Sequence, residues 1–488
     1  MEFIELADYP VPAGEVIEWL PTARTHWADW PRDARAVSHN HEYHLRDALE
    51  HKRIRSRRQC WLGHVLRIDG PLDAAAWAAA LEAWIDRHEV LRSHVTVEGG
   101  RPARYTLAPG TVRVRPVDAG RHASTMSTYR LVQQLLDDGT SALEWPAHLC
   151  VTIADRTAFT AIVAADHSVM DGYSTTWIGG ELRALYEAAR GGRPAELPES
   201  ASYLDFCRME RDRADAVTAD HPAVGIWREF LVGSSDYDPA PGTLSGVAAR
   251  PIELAYPREC PELTVPQRNQ SIEILDAAAA DRVAAAAREQ GQGLVAALMA
   301  AFAAAQGELA GAPDFRTVLP MHTRDERRWL DSVGWFVGLA PYRTEGAAGN
   351  LADLIAPAGA ELRRVREAAT VPFARVCELL EVRPRISFMV SYMDIRGSVG
   401  ADRWIESDTR WLRSRTASAN EFFYWFLRTP AGVTLNMRYP GTARATLDVH
   451  RHMLRLRELL GDYARHGDAQ LRLGDAQLRL AQGAPTWR

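Results

Sequence analysis

The chain has 488 residues, of which 47% are hydrophobic, and a formal net charge of −6 at pH 7. This length and apolar content are enough for more than one buried core, and we expect two large lobes. Positive and negative residues are mixed along the chain, and no basic block of the kind that neutralises phosphates occurs, so nucleic acid is excluded as an expected partner.

The cysteines and the N-terminus bear on the expected compartment. Five cysteines lie far apart and never form a Cys-x-x-Cys pair, which predicts neither a disulfide framework nor a zinc site. The opening MEFIELADYPVPAGEV carries acids where a signal peptide needs a basic region. The run LVAALMAAFAAA from Leu294 has 12 residues, too few to span a membrane, and predicts a core helix. We therefore expect a cytoplasmic protein that is a monomer.

The N-terminal part predicts alternating strands and helices. A strand through VLRID is followed by a turn at Gly70-Pro71 and by an amphipathic helix that leads to RHEVLRS. The stretch HLCVTIADRTAFTAIVAADHS predicts a hairpin that turns at Asp155-Arg156. Ser174 is then the expected N-cap of a helix that ends near RGGRP at 190–194.

The remaining chain predicts a crossover and a second lobe. Residues 191–268 are rich in turn formers, with a polar helix near 202–218 and the segment SSDYDPAPGTLSG from Ser234. A strand (SIEIL), two helices separated by GQG at 291–293, and a further strand (FRTVLP) follow. The recurring pattern predicts an N-terminal lobe over 1–190, a crossover over 191–268 and a C-terminal lobe over 269–488.

One stretch carries residues suited to catalysis, namely AADHSVMDGYS at 164–174. A histidine at the end of a strand is held by the sheet yet can reach a substrate, and a neutral imidazole accepts a proton near pH 7, so His167 is a candidate general base. Asp171 can pair with a cation elsewhere and hold the loop, while Gly172 permits a sharp turn.

Plainer interpretations compete with this one. A histidine beside an apolar strand is often structural, and a helical His-x-x-x-Asp metal pair is disfavoured because strand and turn residues flank the motif. The second histidine cluster, SHNHEYH with His39, His41 and His44, predicts a polar, partly exposed segment. A phosphate-binding glycine loop, a Gly-x-Ser-x-Gly elbow and a cysteine-nucleophile signature are all absent from the sequence, which favours direct transfer chemistry.

Several separated segments resemble the condensation-type acyltransferases, the superfamily that includes nonribosomal-peptide condensation domains and chloramphenicol acetyltransferase. DHSVMDG is similar to their His-His-x-x-x-Asp-Gly motif, with Asp166 in place of the first histidine. Four other segments match in order and spacing: RHEVLRS, VGIWREFLVG, VGWFVGLAPYR and VPFARVCELL. PVPAGEVIEWLPTA and FMVSYMDIRG resemble most the polyketide-associated branch, whose members acylate hydroxyls of trehalose or related lipid acceptors.

The resemblance implies a fold and a set of site residues. The fold would be α/β, with two chloramphenicol-acetyltransferase-like sandwich lobes in a V-shaped pseudo-dimer and a central tunnel around His167. Asp171 would pair with an arginine, for which Arg324 is the best match by position and Arg343 the alternative. The tunnel-lining candidates are Asp166, Tyr173, Ser174, Trp335 and Tyr392.

The resemblance also implies a reaction. His167 would take the proton from an acceptor hydroxyl that attacks a thioester on coenzyme A or on the phosphopantetheine of a carrier protein, without a bound cofactor or metal. Two alternatives stay open: a free-standing condensation enzyme that forms an amide, and a homologue that only binds carrier proteins. Gly338, where condensation domains often carry asparagine, favours the hydroxyl acceptor, and the joint presence of His167, Asp171 and Gly172 favours an active enzyme.

Overall fold

The computed structural model describes residues 3–54, 59–232, 264–310, 314–345, 349–382, 386–398, 400–401, 404, 409–418 and 420–472. The segment SSDYDPAPGTLSG of the predicted crossover lies outside these residues. The chain forms two compact units, and each is assembled from three stretches of sequence. Unit 1 comprises Met1–Ala216, His322–Val337 and Ile395–Thr416; unit 2 comprises Val217–Met321, Gly338–Asp394 and Ala417–Arg488.

The described residues contain strands and helices in alternation. The strands are β1 (Phe3–Glu5), β2 (Gly14–Thr22), β3 (Arg32–Asp33), β4 (Trp61–Asp69), β5 (Ser93–Glu98), β6 (Arg101–Thr106), β7 (Arg113–His122), β8 (His148–Ala154), β9 (Ala158–Asp166), β10 (Gln267–Asp276), β11 (Asp314–His322), β12 (Val337–Glu345), β13 (Phe388–Asp394), β14 (Arg410–Arg413), β15 (Phe422–Thr429) and β16 (Gly432–Pro440). The helices are α1 (His39–Arg53), α2 (Ala74–Arg87), α3 (Thr125–Gly139), α4 (Thr175–Gly191), α5 (Tyr203–Asp215), α6 (Pro222–Val232), α7 (Ala277–Glu289), α8 (Leu294–Ala310), α9 (Leu351–Val365), α10 (Phe373–Leu380) and α11 (Ala443–His466). Short 3-10 helices cover Leu6–Asp8, Trp27–Asp29, Glu89–Arg92, Arg327–Trp329 and Glu367–Thr370.

Unit 1 is organised around a seven-stranded sheet in the order β1-β14-β4-β9-β8-β2-β7. The predicted hairpin is confirmed as β8 and β9, and its turn is closed by the Asp155 carboxylate, which accepts hydrogen bonds from the backbone of Thr157 and Ala158. Every residue of β9 is buried, because the strand pairs with β4 and β8 along its edges and its side chains pack alternately into two hydrophobic cores on the two faces of the sheet. This central strand delivers the candidate catalytic loop at its C-terminal end.

A distant part of the chain completes the same sheet. β14 pairs in parallel with β1 and antiparallel with β4, so that Trp411 lies opposite both Phe3 and His64. A smaller three-stranded sheet, in the order β3-β6-β5, also belongs to unit 1. The N-terminal sheet therefore needs residues from the C-terminal half of the chain.

Unit 2 is built on a six-stranded sheet in the order β10-β16-β15-β13-β11-β12. The alanine-rich α8 packs in its core together with α11, and Phe302 contacts the rings of Phe315 and Tyr424. The run from Leu294 is thus a buried core helix, as its composition predicts.

A helix that crosses a membrane must be both long and apolar. Among the described residues, no single helix combines the length and apolar composition needed to cross a bilayer. Ala277–Glu289 and Leu294–Leu309 meet these requirements only as a pair, which is bent by 97°.

Candidate active site

His167 immediately follows the central strand β9, and its backbone is held by the neighbouring strands. Its N–H donates to the carbonyl of Cys60 at 2.8 Å, just before β4, and the N–H of Asp166 donates to the carbonyl of Ala147 at 2.8 Å, just before β8. The imidazole packs against Trp335, with ring centroids 4.2 Å apart and planes inclined by 33°. The sheet therefore fixes the backbone of His167 and the tryptophan fixes its ring.

The surroundings of His167 keep its imidazole neutral. Burial lowers the pKa of His167, and the nearby His44 lowers it further, whereas Asp171 and Asp166 act in the opposite direction. The net pKa lies below the ordinary histidine value, so the ring is unprotonated at neutral pH. An unprotonated imidazole is the form in which histidine acts as a general base.

Asp166 forms a buried pair with a histidine of α1. The Nε2 atom of His44 lies 3.0 Å from Oδ1 and 3.3 Å from Oδ2 of Asp166, and the two side chains are 12% and 5% exposed. Burial raises the pKa of Asp166, but His44 and the hydrogen bonds from Ser168 outweigh burial, so the pKa falls below its usual value. These contacts occupy the Asp166 carboxylate and make it part of the loop's support. Its predicted place in the tunnel lining stays a prediction.

The histidine cluster on α1 is polar and partly exposed, as the sequence predicts, but its imidazoles face inward. Tyr43 is 63% exposed, whereas His39 and His41 are 3% and 4% exposed and His44 reaches the catalytic loop. A buried carboxylate at the end of a strand needs a cationic or hydrogen-bonding partner. That requirement was the one sequence signal that pointed toward a residue such as His44.

Asp171 and Arg324 form a fully buried, bidentate ion pair. The Nη1 atom of Arg324 donates to Oδ2 of Asp171 at 2.7 Å and Nη2 donates to Oδ1 at 3.1 Å, with both side chains at most 1% exposed. Burial raises the pKa of Asp171, but the charge of Arg324 and the hydrogen bonds hold it below the usual value. Arg343, the alternative partner, binds Asp314 instead at 2.8 Å.

Asp171 also begins helix α4. Its Oδ1 atom accepts hydrogen bonds from the backbone N–H and the hydroxyl of Ser174, both at 2.7 Å. Within the described residues the Ser174 side chain makes no capping hydrogen bond, so its predicted role as N-cap belongs chemically to Asp171. Because Ser174 is fully buried and its hydroxyl also receives a hydrogen bond from Arg324, it supports the loop, and its predicted place in the tunnel lining stays a prediction.

The segment around Trp335 is tied to the same loop. The backbone N–H of Asp171 donates to the carbonyl of Gly334 at 2.9 Å, and the N–H of Phe336 donates to Oδ2 of Asp171 at 3.0 Å. A Cβ atom at Gly334 would lie 2.4 Å from the ring of Tyr203, so only glycine allows this close approach. Tyr203 in turn donates to the carbonyl of Trp335 at 3.3 Å, a support that sequence reasoning missed.

The other predicted residues occupy different positions. Tyr173 is partly exposed beside the guanidinium of Arg324, which lies 4.8 Å from its ring centroid, and it stacks near His322. The carbonyl of Gly172 accepts a hydrogen bond from Thr175 at the start of α4. Tyr392 lies in unit 2 on β13, partly buried against the core of that unit, and its role stays a prediction.

The RHEVLRS segment has a structural explanation. Glu181 on α4 accepts hydrogen bonds from Arg87 at 2.9 Å and from His88 at 2.7 Å, which ties the end of α2 to the helix that follows the catalytic loop. Glu89 binds Arg35 with both oxygens at 2.8 Å. This motif therefore braces the site without contributing a reacting group.

Among the described residues, no group of three or more histidine, cysteine, aspartate or glutamate side chains is placed to hold a metal ion. The expectation that the reaction needs no metal stays a prediction.

The loop combines a strand-end histidine with a buried Asp–Arg ion pair four residues later. Comparison with known proteins shows the family in which this chain belongs. The family model for the condensation domain matches residues 51–473. The chain therefore belongs to the condensation-domain family.

The relatives of this chain include acyltransferases and a peptide synthetase. The acyltransferase PapA3 of Mycobacterium tuberculosis is 23% identical over 95% of this chain and 97% of its own length. The trehalose-2-sulfate acyltransferase PapA2 of Mycobacterium bovis is 24% identical over 70% of both chains. A linear gramicidin synthase polypeptide of Brevibacillus parabrevis is 24% identical over 84% of this chain, which spans 8% of that protein. The predicted acyltransferase activity is confirmed at this level.

Solved structures show the fold. A PapA2 acyltransferase superposes with a TM-score of 0.83 over 95% of this chain and all of its own, at 21% identity. The first condensation domain of the calcium-dependent antibiotic synthetase superposes with a TM-score of 0.63 over 89% of this chain and 97% of its own, at 17% identity. These likenesses confirm the predicted fold class of two α/β lobes, while the V-shaped arrangement and the tunnel stay predictions.

Proposed function

We propose that this protein transfers an acyl group from a thioester to a hydroxyl and forms an ester, with His167 as the general base. The observation that carries the proposal is the neutral His167 imidazole, stacked on Trp335 at the end of a buried strand and followed by a locked loop. Nδ1 of this ring is buried, and in the proposed reaction Nε2 is the nitrogen that receives the acceptor proton.

The acceptor oxygen attacks the thioester carbonyl while its proton passes to His167, so that a C–O bond forms and an imidazolium is produced. The tetrahedral intermediate collapses with cleavage of the C–S bond. The departing sulfur takes the proton back from the imidazolium, which leaves an ester, a free thiol and a neutral His167.

The hydroxyl acceptor is supported by the kind of relatives found. PapA3 matches along nearly its whole length, and a relative of M. bovis is named as an acyltransferase of trehalose 2-sulfate. The TM-score is also higher with PapA2 than with the peptide-synthetase domain. We therefore propose a sugar or another polyol as acceptor and a coenzyme A or carrier-protein thioester as donor.

Amide formation is the second candidate, because the family model and the gramicidin synthase match are those of peptide condensation. A competition assay separates the two. The protein is supplied with one acyl thioester and equal amounts of matched alcohol and amine acceptors, with trehalose and trehalose 2-sulfate in the alcohol panel. Products are identified by mass after uncatalysed aminolysis is subtracted.

The possible outcomes have different consequences. Enzyme-dependent ester supports the proposal. Dominant enzyme-dependent amide with every alcohol ignored contradicts it and supports the condensation alternative. Carrier-protein binding without turnover of any thioester supports the non-catalytic homologue.

A further inference from the structure

The pair formed by His44 and Asp166 takes no part in the mechanism above. Asp166 binds the backbone of Ser168 next to His167, and His44 contacts Trp335, on which the His167 ring packs. We infer that His44, acting through Asp166 and Trp335, is a positioning residue that sets the orientation of the His167 ring. The inference deepens the proposed function, because it rests on His167 as the base.

The first route runs through Asp166. Its Oδ1 atom accepts a hydrogen bond from the N–H of Ser168 at 2.8 Å, so this side chain closes a turn around His167. His44 donates to the same carboxylate at 3.0 Å and fixes its rotation. A carboxylate has no N–H or O–H to donate when ionised, so the proton in this contact lies on Nε2 of His44.

The second route runs through Trp335. The ring of His44 meets Trp335 edge to face, with centroids 5.7 Å apart and planes at 82°. The same tryptophan packs against the imidazole of His167, with centroids 4.2 Å apart. His44 thus limits the position of the aromatic surface on which the base rests.

Helix α1 is well placed to act as a rigid support. Ser38 caps its first turn and also bonds the hydroxyl of Tyr203 at 3.0 Å. Asn40 donates to the carbonyl of Val337 at 2.6 Å, two residues beyond Trp335. Both contacts lie N-terminal to His44, so the first turn of α1 is tied to the segment that carries Trp335.

The pH dependence of the rate distinguishes an electrostatic effect of His44 on His167 from a purely structural role. The groups that act on the His167 imidazole are His44 from α1 and Asp166 and Asp171 from its own loop. Among them His44 lowers the pKa of His167. Removal of His44 therefore raises that pKa, and the acid limb of the rate profile moves to higher pH.

The first test compares His44→Gln with His51→Gln, the same change on the same helix, where the ring binds Asp47 one turn earlier. Glutamine can still donate to Asp166 but lacks the imidazole ring. For His44→Gln we expect kcat to fall about 10- to 100-fold at a similar KM, the loss typical of a misplaced group, with the acid limb shifted upward. His51→Gln should match the wild type.

The contrary results are equally specific. Unchanged kcat in His44→Gln, or equal changes in both variants, overturns the inference. A fall in kcat with an unmoved pH profile reduces His44 to a structural residue and overturns it as well.

A charge swap tests the pair directly. Asp166→His places two imidazoles together and His44→Asp places two carboxylates together, so each single variant should lose activity. The double variant His44→Asp/Asp166→His restores the pair and should be at least about ten-fold faster than the slower single variant, since interacting sites are non-additive. A double variant no faster than the slower single, or a fully active Asp166→His, contradicts the inference.

A measurement without turnover separates this inference from the proposed function. The pKa of His167 is measured by NMR on histidine-labelled protein, with the signal assigned from His167→Ala. If no hydroxyl is acylated but the His167 pKa rises in His44→Gln, the proposed function fails and the inference stands. If ester forms and the pKa of His167 is the same in the wild type and in His44→Gln, the inference alone fails.

Discussion

The guanidinium of Arg324 binds both carboxylate oxygens of Asp171, at 2.7 and 3.1 Å, in a place closed to solvent. The pair joins the loop after His167 to the segment that carries Trp335, because Asp171 also binds the backbone of Phe336. An ion pair in this position supports the geometry of the base without touching the reacting atoms.

Asp171→Asn should destabilise the protein by about 3–5 kcal/mol, because it leaves Arg324 buried without a counter-charge. Arg324→Ala should have a similar effect. The matched control is Asp325→Asn, since the neighbouring Asp325 makes an exposed pair with Arg213 at 3.3 Å and its loss should cost under about 1 kcal/mol. Denaturant unfolding measures all three. A stable but inactive Asp171→Asn protein would assign Asp171 a direct chemical role.

Gly334→Ala should lower both stability and activity. The added Cβ atom would lie 2.4 Å from the ring of Tyr203, so the segment that carries Trp335 must shift, at a cost of about 1–3 kcal/mol. Gly225→Ala is the control, because that glycine lies in α6 with open space around its Cβ position and the change should be neutral or slightly stabilising. Equal thermal unfolding of the two variants would argue against the close contact at Gly334.

Stability should fall as the pH is lowered from about 6.5 to 4. Burial lowers the pKa of His148 from 6.5 to about 4, and it does the same for His64 and His452. In this window the unfolded chain binds protons that the native protein does not, so acid favours unfolding. His148→Phe removes one such group, and its slope of unfolding free energy against pH should be smaller by up to about 1.4 kcal/mol per unit. Parallel curves for variant and wild type would contradict this account.

The sequence predicts the local parts of the site well. The apolar run of β9 and the Asp-Gly turn after it indicate a strand-end histidine, and the position of Arg324 after a strand suggests it as the partner of Asp171. These signals are local or follow from a resemblance to known motifs.

What the sequence could not indicate depends on long-range packing. β14 inserts between β1 and β4, and nothing in its four residues specifies those partners. His44 lies on a mostly polar helix, so its contact with Asp166 emerges only when α1 packs against the loop. Serine is a common N-cap residue, which is why Ser174 is the expected cap of α4. The carboxylate of Asp171 accepts the capping hydrogen bond instead, because it lies three residues earlier and is held in place by Arg324.

The most direct test of the central claim is the steady-state rate of acyl transfer from a thioester to a hydroxyl by His167→Ala, compared with the wild type at matched folding. If His167 is the general base, kcat should fall by about 10²–10⁴-fold. The thermal unfolding temperature is measured beside the rate and should barely change. A cleanly folded His167→Ala protein that transfers the acyl group at a rate near the wild type would contradict the account.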